Sequence, residues 1–300
     1  MTKHLIAVLA AATCLAACNK DYNAIPGDTY TLQSAFKELA PKSKIVTLNA
    51  ATGGTFRGNS GTRFIFPANT FVTASGAPVT GDVQVEVTEY TRKSDMLFSG
   101  VLPISGGEPL LSGGEINVTA TQNGQALGVA PGATFRANMP MKKPDTAMQL
   151  FVGERPNGGA VNWVLAGGGG AGISTAGMDS MSIIASTFTY CNADRFITSP
   201  NYQEFKITIE APGVTLNDDS LIAYTLFDGY NGVWPCFWVD NHIFSENHVP
   251  NIPVHFVVAA TVKGQLYTGI KGVTPATGAN YTVTLAKSTP SALKAQIDAL

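Results

Sequence analysis

A chain of 300 residues with 19 basic and 21 acidic side chains carries a net charge of −2 and has no basic surplus with which to draw nucleic acid. Only 13% of its residues are charged, against about 25% in an average soluble domain, and Gly, Thr, Ser and Asn are abundant in their place. That is the profile of an extracellular β protein whose exposed strand faces use hydroxyls and amides, and the length allows one or two domains.

The chain opens with a short basic region, Met1–Lys3, an apolar run from Leu5 to Ala12 and then small residues. This is the pattern of a secretory signal peptide. The run is too short to span a bilayer, which takes about 20 apolar residues. Leu15-Ala16-Ala17-Cys18 resembles the lipobox of bacterial lipoproteins, which implies cleavage after residue 17 and diacylglycerol on the Cys18 thiol. Two or more acyl chains, at about 0.8 kcal/mol per buried methylene, hold a protein on a membrane essentially permanently. Asn19-Lys20-Asp21 resembles the export signal that carries Bacteroidota lipoproteins to the outer membrane, so the expected address is a lipid anchor there, facing the periplasm or the cell surface.

Removing residues 1–17 takes away Lys3 and no acid, leaving a net charge of −3, and it removes Cys14. With Cys18 lipidated, Cys191 and Cys236 remain, and in an oxidising compartment they either pair as a disulfide or stay as small buried hydrophobes.

Residues 18–44 read as the lipidated cysteine, a polar tether and a short helix, since Leu32, Phe36 and Leu39 fall at i, i+4 and i+7. From Ile45 the period becomes two. In Asp82–Tyr90 valines alternate with polar residues, and segments 62–66, 115–120 and 148–152 read as further strands. Turn signals at Ser75-Gly76, Gly106-Gly107, Gly113-Gly114 and Asn123-Gly124 separate them. The fold class expected is all-β: an N-terminal β-sandwich over 45–165, a Gly-rich linker over 166–178, and a C-terminal β-sandwich over 179–300. Strands 205–210, 221–227, 254–262 and 281–285 are the clearest members of the second series. A closing helix is expected to begin near Pro290, with Leu293, Ile297 and Leu300 on one face.

The stretch Phe66-Pro-Ala-Asn-Thr-Phe71, then Gly76 and Val79-Thr-Gly-Asp-Val-Gln-Val85, resembles ZU5-like β domains. Asp95-Met-Leu97, the Gly113-Gly114 strand entry and Asn192-Ala-Asp-Arg-Phe196 are similar to poorly characterised Bacteroidota lipoproteins. The first resemblance implies a role in protein interaction. The self-cleaving His-Phe-Ser site of some ZU5 domains does not carry over, because the nearest string, His242-Ile243-Phe244-Ser245, has an extra residue and lies in the second domain. Asp145-Thr146-Ala147, Asp179-Ser180-Met181 and Asp219-Ser220-Leu221 resemble the acceptor sequence for Bacteroidota O-glycosylation, which would modify Thr146, Ser180 and Ser220.

No P-loop, His-Glu-x-x-His or Gly-x-Ser-x-Gly motif occurs, and Gly167-x-Gly169-x-x-Gly172 lacks the helix a dinucleotide fingerprint needs, so no cofactor is expected. Asp240, His242, Glu246, His248 and His255 have metal-ligand side chains. In one strand His242 and His248 would stand about 20 Å apart, so they read as solvated loop residues rather than ligands, and no metal or catalytic residue is assigned. Tyr230, Trp234 and Trp238, with Phe237 in the same group, either stack on sugar rings or fill the sandwich beside Cys236. The leading expectation is a membrane-tethered, non-enzymatic module for a protein or glycan partner. The competing one is a glycan-processing enzyme whose carboxylates only tertiary structure could bring within about 5–10 Å.

Overall fold

The computed structural model describes residues 31–141, 144–155, 159–168, 170–175, 179–197, 201–217, 220–240 and 242–300. Cys18, the signal segment and most of the tether lie outside the described residues.

The all-β expectation holds, and strands Asp82–Tyr90, Leu221–Phe227 and Val254–Val262 have the expected bounds. The first sandwich packs an eight-stranded sheet on a five-stranded one. Along the first sheet run Lys44–Asn49, Asp82–Tyr90, Glu108–Gln122, Tyr190–Phe196, Gln149–Glu154 and Asn162–Leu165. The second consists of Gly172–Ser174, Ser180–Ala185, Phe135–Pro140, Arg63–Phe66 and Gly54–Arg57. Period-two alternation builds the core between them. Val83, Val85 and Val87 face inward onto Phe64, Phe66, Phe135 and Ile183, while Asp82, Gln84 and Glu86 face out.

The second sandwich has a four-stranded sheet ordered Phe237–Asp240, Ile243–Pro250, Tyr202–Glu210 and Asn280–Thr284. It packs on a five-stranded sheet ordered Gly232–Pro235, Leu221–Phe227, Val254–Val262, Gln265–Val273 and Ala286–Lys287.

Two boundaries differ from the expectation. Segment 166–178 is not the hinge between domains. Gly172–Ser174 and Ser180–Ala185 pair within the first sandwich, and Tyr190–Phe196 lies between Glu108–Gln122 and Gln149–Glu154. The first sandwich therefore runs on to residue 197. Glycine density marked a loop inside a sheet, because composition reports local flexibility and not which strands later pair. Gly113-Gly114 is likewise no turn. It lies inside the 15-residue strand Glu108–Gln122, where the register with Tyr190–Phe196 shifts. Asn123-Gly124 does turn the chain, both residues having positive φ, and joins that strand to Gln125–Ala126.

Among the described residues three helices fill the space between the sandwiches: α1 (Leu32–Leu39), α2 (Lys93–Ser99) and α3 (Pro290–Asp298). The first and third match the expected periodicity, and Leu300 proves exposed. Helix α2 has no such signature. Thr289 caps α3 by accepting from Ala292 N at 3.2 Å. The helices belong to a third core, where Leu32, Met96, Leu97, Leu293 and Ile297 meet Tyr90, Phe151 and Trp163 of the first sandwich and Leu226, Val257 and Leu266 of the second. The continuous apolar run Val254–Val262 follows from this. Val254, Phe256, Val258 and Ala260 face the second sandwich's own core, and Val257 and Ala259 face the helices, so both faces are dry.

Candidate functional site

Cys191 and Cys236 are free thiols, both buried, and belong to the cores of different sandwiches. The disulfide reading is corrected on that ground. Burial pushes the Cys191 thiol up to about 12 and raises Cys236 as well, the nearby Glu246 adding to the latter. Neither is a ready nucleophile, since the thiolate is the reactive form.

Of the three rings considered for glycan stacking, Trp234 is 2% exposed and sits in the second core, which removes it from any platform. Tyr230 is 37% exposed, but Arg195 stands 5.3 Å from its ring centroid and donates to its hydroxyl from Nη2 at 3.3 Å. Trp238 is 52% exposed. It lies on the edge strand Phe237–Asp240 between Phe237 and Val239, which are 48% and 44% exposed. The ladder to Ile243–Pro250 shifts register between Trp238 and Asp240. The sequence reading passed over Val239, because three apolar residues in a row look like a buried strand.

Residues 243–250 form a strand and not a solvated loop, and Glu246 is buried within it. Its Oε1 accepts from the backbone N–H groups of Asn247 and His248 at 2.8 and 2.7 Å, and the His248 ring packs against Trp234 and Phe237. His255 Nδ1 lies 2.7 Å from Asp228 Oδ1, across the fold from His248. Among the described residues no group of three or more His, Cys, Asp or Glu side chains is arranged to hold a metal ion. No described helix is long and apolar enough to cross a membrane.

Burial raises the Glu246 carboxyl above its ordinary value of 4.5, the two backbone amides offsetting part of the rise. An acid whose folded pKa is raised stabilises the fold below its unfolded pKa and loses that contribution as pH climbs through the folded value. Glu246→Gln keeps the Oε1 acceptor without the charge. The variant is expected to match the wild type in melting temperature near pH 4 and to exceed it increasingly toward pH 8. A constant difference across that range would show that ionisation of Glu246 carries no cost.

Of the three O-glycosylation candidates, Thr146 sits in an exposed turn whose Asp145 accepts from Ala147 N at 2.9 Å and from Arg195 Nε at 2.7 Å. Ser180 begins a paired strand, and the Ser220 hydroxyl donates to Asn217 O at 3.0 Å.

A polar cluster that the sequence reading did not single out lies on the face of the eight-stranded sheet turned toward the second sandwich. Ser112, Glu115, Asn192 and Asp194 are all buried there. Asn192 Nδ2 donates to Glu115 Oε1 at 3.1 Å and also to Asp194 Oδ2, and Ser112 Oγ donates to Asn192 Oδ1 at 2.9 Å. Burial, and for Glu115 the neighbouring Asp194, holds both carboxyls well above the carboxylate range. Ser112 also lines a junction cavity of about 540 Å³ walled by Arg92, Lys93, Tyr230 and Asn231.

No family model matches this chain, and no curated protein matches it. Among solved structures, one described as "The Bacillus anthracis TIE protein" aligns over 83% of this chain and 41% of that one at 9% identity, with a TM-score of 0.24. This chain thus spans less than half of that protein's length, and a likeness at that score bears on neither fold nor function.

Proposed function

We propose that this chain is a lipid-anchored, non-enzymatic binding module that is held on a membrane through Cys18 and presents the edge strand Phe237–Asp240 to a protein partner. The tether rests on the lipobox resemblance at Leu15–Cys18. The observation that carries the binding role is the exposure of Phe237, Trp238 and Val239 together at the open edge of a sheet. Folded proteins usually protect such an edge with charge, proline or a covering element, because it offers both apolar surface and strand pairing to another chain. Aromatic anchors of this kind dominate the binding energy of protein interfaces.

A protein partner fits better than a glycan. Of the three rings considered for stacking, Trp234 is buried and Tyr230 is engaged by Arg195, which leaves Trp238. The enzyme alternative finds less support. Glu115 and Asp194 are buried at the domain junction with Asn192 between them, and Asp145 and Asp298, which line the junction cavity, are held in ion pairs with Arg195 and Lys294.

The test is site-specific photo-cross-linking in the membrane-bound protein, with the probe at position 238 or at exposed Thr55 of the first sandwich. A discrete protein adduct is expected from 238 alone, and Trp238→Ser is expected to weaken capture of that partner by about 30-fold or more. Identical adducts from both positions, or none from 238, would overturn the reading. Glycan-array binding that disappears in Trp238→Ser would instead establish the sugar-stacking alternative. Cys18→Ser, expected to leave the membrane fraction, tests the tether separately.

A further inference from the structure

The Gly113-Gly114 irregularity has a chemical consequence. Asn192 lies opposite Glu115 in the ladder and Asp194 lies opposite Ser112, so two residues, Gly113 and Gly114, stand against the single Ala193. In a regular strand Ser112 and Glu115, three apart, would point to opposite faces. The extra residue turns Ser112 onto the face that Glu115 shares with Asn192 and Asp194, which is how a bulge re-aims a side chain. Three oxygen-bearing side chains, those of Ser112, Glu115 and Asp194, thereby converge around the Asn192 carboxamide. The Ser112 hydroxyl accepts in addition from Gly114 N at 3.0 Å.

The arrangement is incomplete as a protein-only network. Glu115 Oε2 and Asp194 Oδ1 are buried and have no hydrogen-bond partner. No basic side chain of the described residues bears on either carboxylate. Two carboxylates in such a setting cost several kcal/mol unless something neutralises them. One proton shared between the two carboxyls would remove only one of the two negative charges. A cation would satisfy both oxygens at once.

We propose that Glu115, Asp194, Asn192 and Ser112 form a binding site for a divalent cation of the calcium type at the junction of the two sandwiches. The ligating atoms are hard oxygens of the two carboxylates and the Ser112 hydroxyl, joined by Asn192 Oδ1 once the carboxamide turns its Nδ2 away from the carboxylates, with no imidazole or thiolate to favour zinc or copper. The junction cavity reaches the cluster at Ser112, the ion's point of entry, and the other three donors lie buried behind it. Ser112 is also bridged by its backbone to Asn231 of the second sandwich. An ion held here therefore fixes the bulge against the neighbouring sandwich and stiffens the junction. The site is independent of the Phe237–Asp240 edge, so either proposal can fail without the other.

The experiment uses the full chain after chelation. Calcium at about 100 times its dissociation constant is expected to raise the melting temperature by about 5–10 °C. Terbium, substituting for calcium, is expected to show tyrosine-sensitised emission that calcium quenches, because Tyr90 pairs directly with Glu115 and stacks on Tyr190 with ring centroids 6.4 Å apart. Glu115→Gln and Asp194→Asn should abolish both signals while keeping the β circular-dichroism spectrum, and Asp298→Asn, which lines the cavity and is no part of the cluster, should keep them. A wild-type protein whose melting temperature ignores calcium and whose terbium emission is absent would overturn the site, as would an equal response in Glu115→Gln. A response to magnesium as large as that to calcium would overturn the assignment to calcium.

Discussion

Trp163→Ala is expected to cost about 3–5 kcal/mol of stability, the range for deleting a large buried aromatic side chain. The ring is fully buried in the third core, meets Tyr190 edge-on with centroids 6.4 Å apart, and lies across Gly153, where an added Cβ would stand 3.2 Å from it. Its Nε1 donates to Leu102 O at 2.8 Å, so truncation opens a cavity and also strips a partner from that carbonyl. The third core draws on both sandwiches, and its disruption should show in cooperativity as well as midpoint. Urea unfolding followed by circular dichroism and by tryptophan fluorescence is expected to give coincident transitions in the wild type and separated ones in Trp163→Ala. Trp163→Phe, which keeps a ring but no N–H, should lose less, about 1–2 kcal/mol. A cost below about 1 kcal/mol for the alanine variant would mean that the two sandwiches do not depend on this contact.

The second large effect is expected at Gly114. Its φ of +131° is one that side-chain-bearing residues rarely adopt, and a Cβ there would stand 3.1 Å from Met139 Sδ. Gly114→Val combines backbone strain with overpacking, for an expected loss of about 2–4 kcal/mol in the unfolding free energy read from urea titration. It should also abolish the calcium response, because Ser112 and Glu115 can share a face only while the bulge is intact. Gly76→Ala is the control. Gly76 has a positive φ of 83° but nothing within 4 Å of an added Cβ, so that variant should cost about 1 kcal/mol and leave the calcium response unchanged. Equal losses at the two positions would show that the packing around the bulge adds nothing beyond backbone strain.

The strands were legible where one face is wet and the other dry. Val83, Val85 and Val87 alternate with Asp82, Gln84 and Glu86, and the observed strand has the bounds that this alternation marks. Leu293 and Ile297 at helical spacing placed α3 in the same way. Helix α2 escaped because all six residues from Lys93 to Phe98, polar ones included, are buried between the sandwiches, so no polar–apolar stripe marks it. Trp234 and Trp238 are four residues apart and chemically alike, yet one fills a core and the other stands at a sheet edge. Their exposure depends on which strand covers them, and a list of residue types does not contain that information.

The sequence by itself determined the β class, the main strands, the terminal helix and the residues on which a lipid anchor is proposed, because each is written in a local period or a contiguous motif. Tertiary structure alone decided that strands Gly172–Ser174, Ser180–Ala185 and Tyr190–Phe196 complete the first sandwich, that the two cysteines lie in separate cores, and that Ser112, Glu115, Asn192 and Asp194 meet. Each of these depends on the pairing of strands far apart in the chain. Ser112 and Asn192 are 80 residues apart, and the pair forms only where a two-glycine bulge shifts the register between their strands. Local propensity is blind to long-range register, and here that register placed two buried acids side by side.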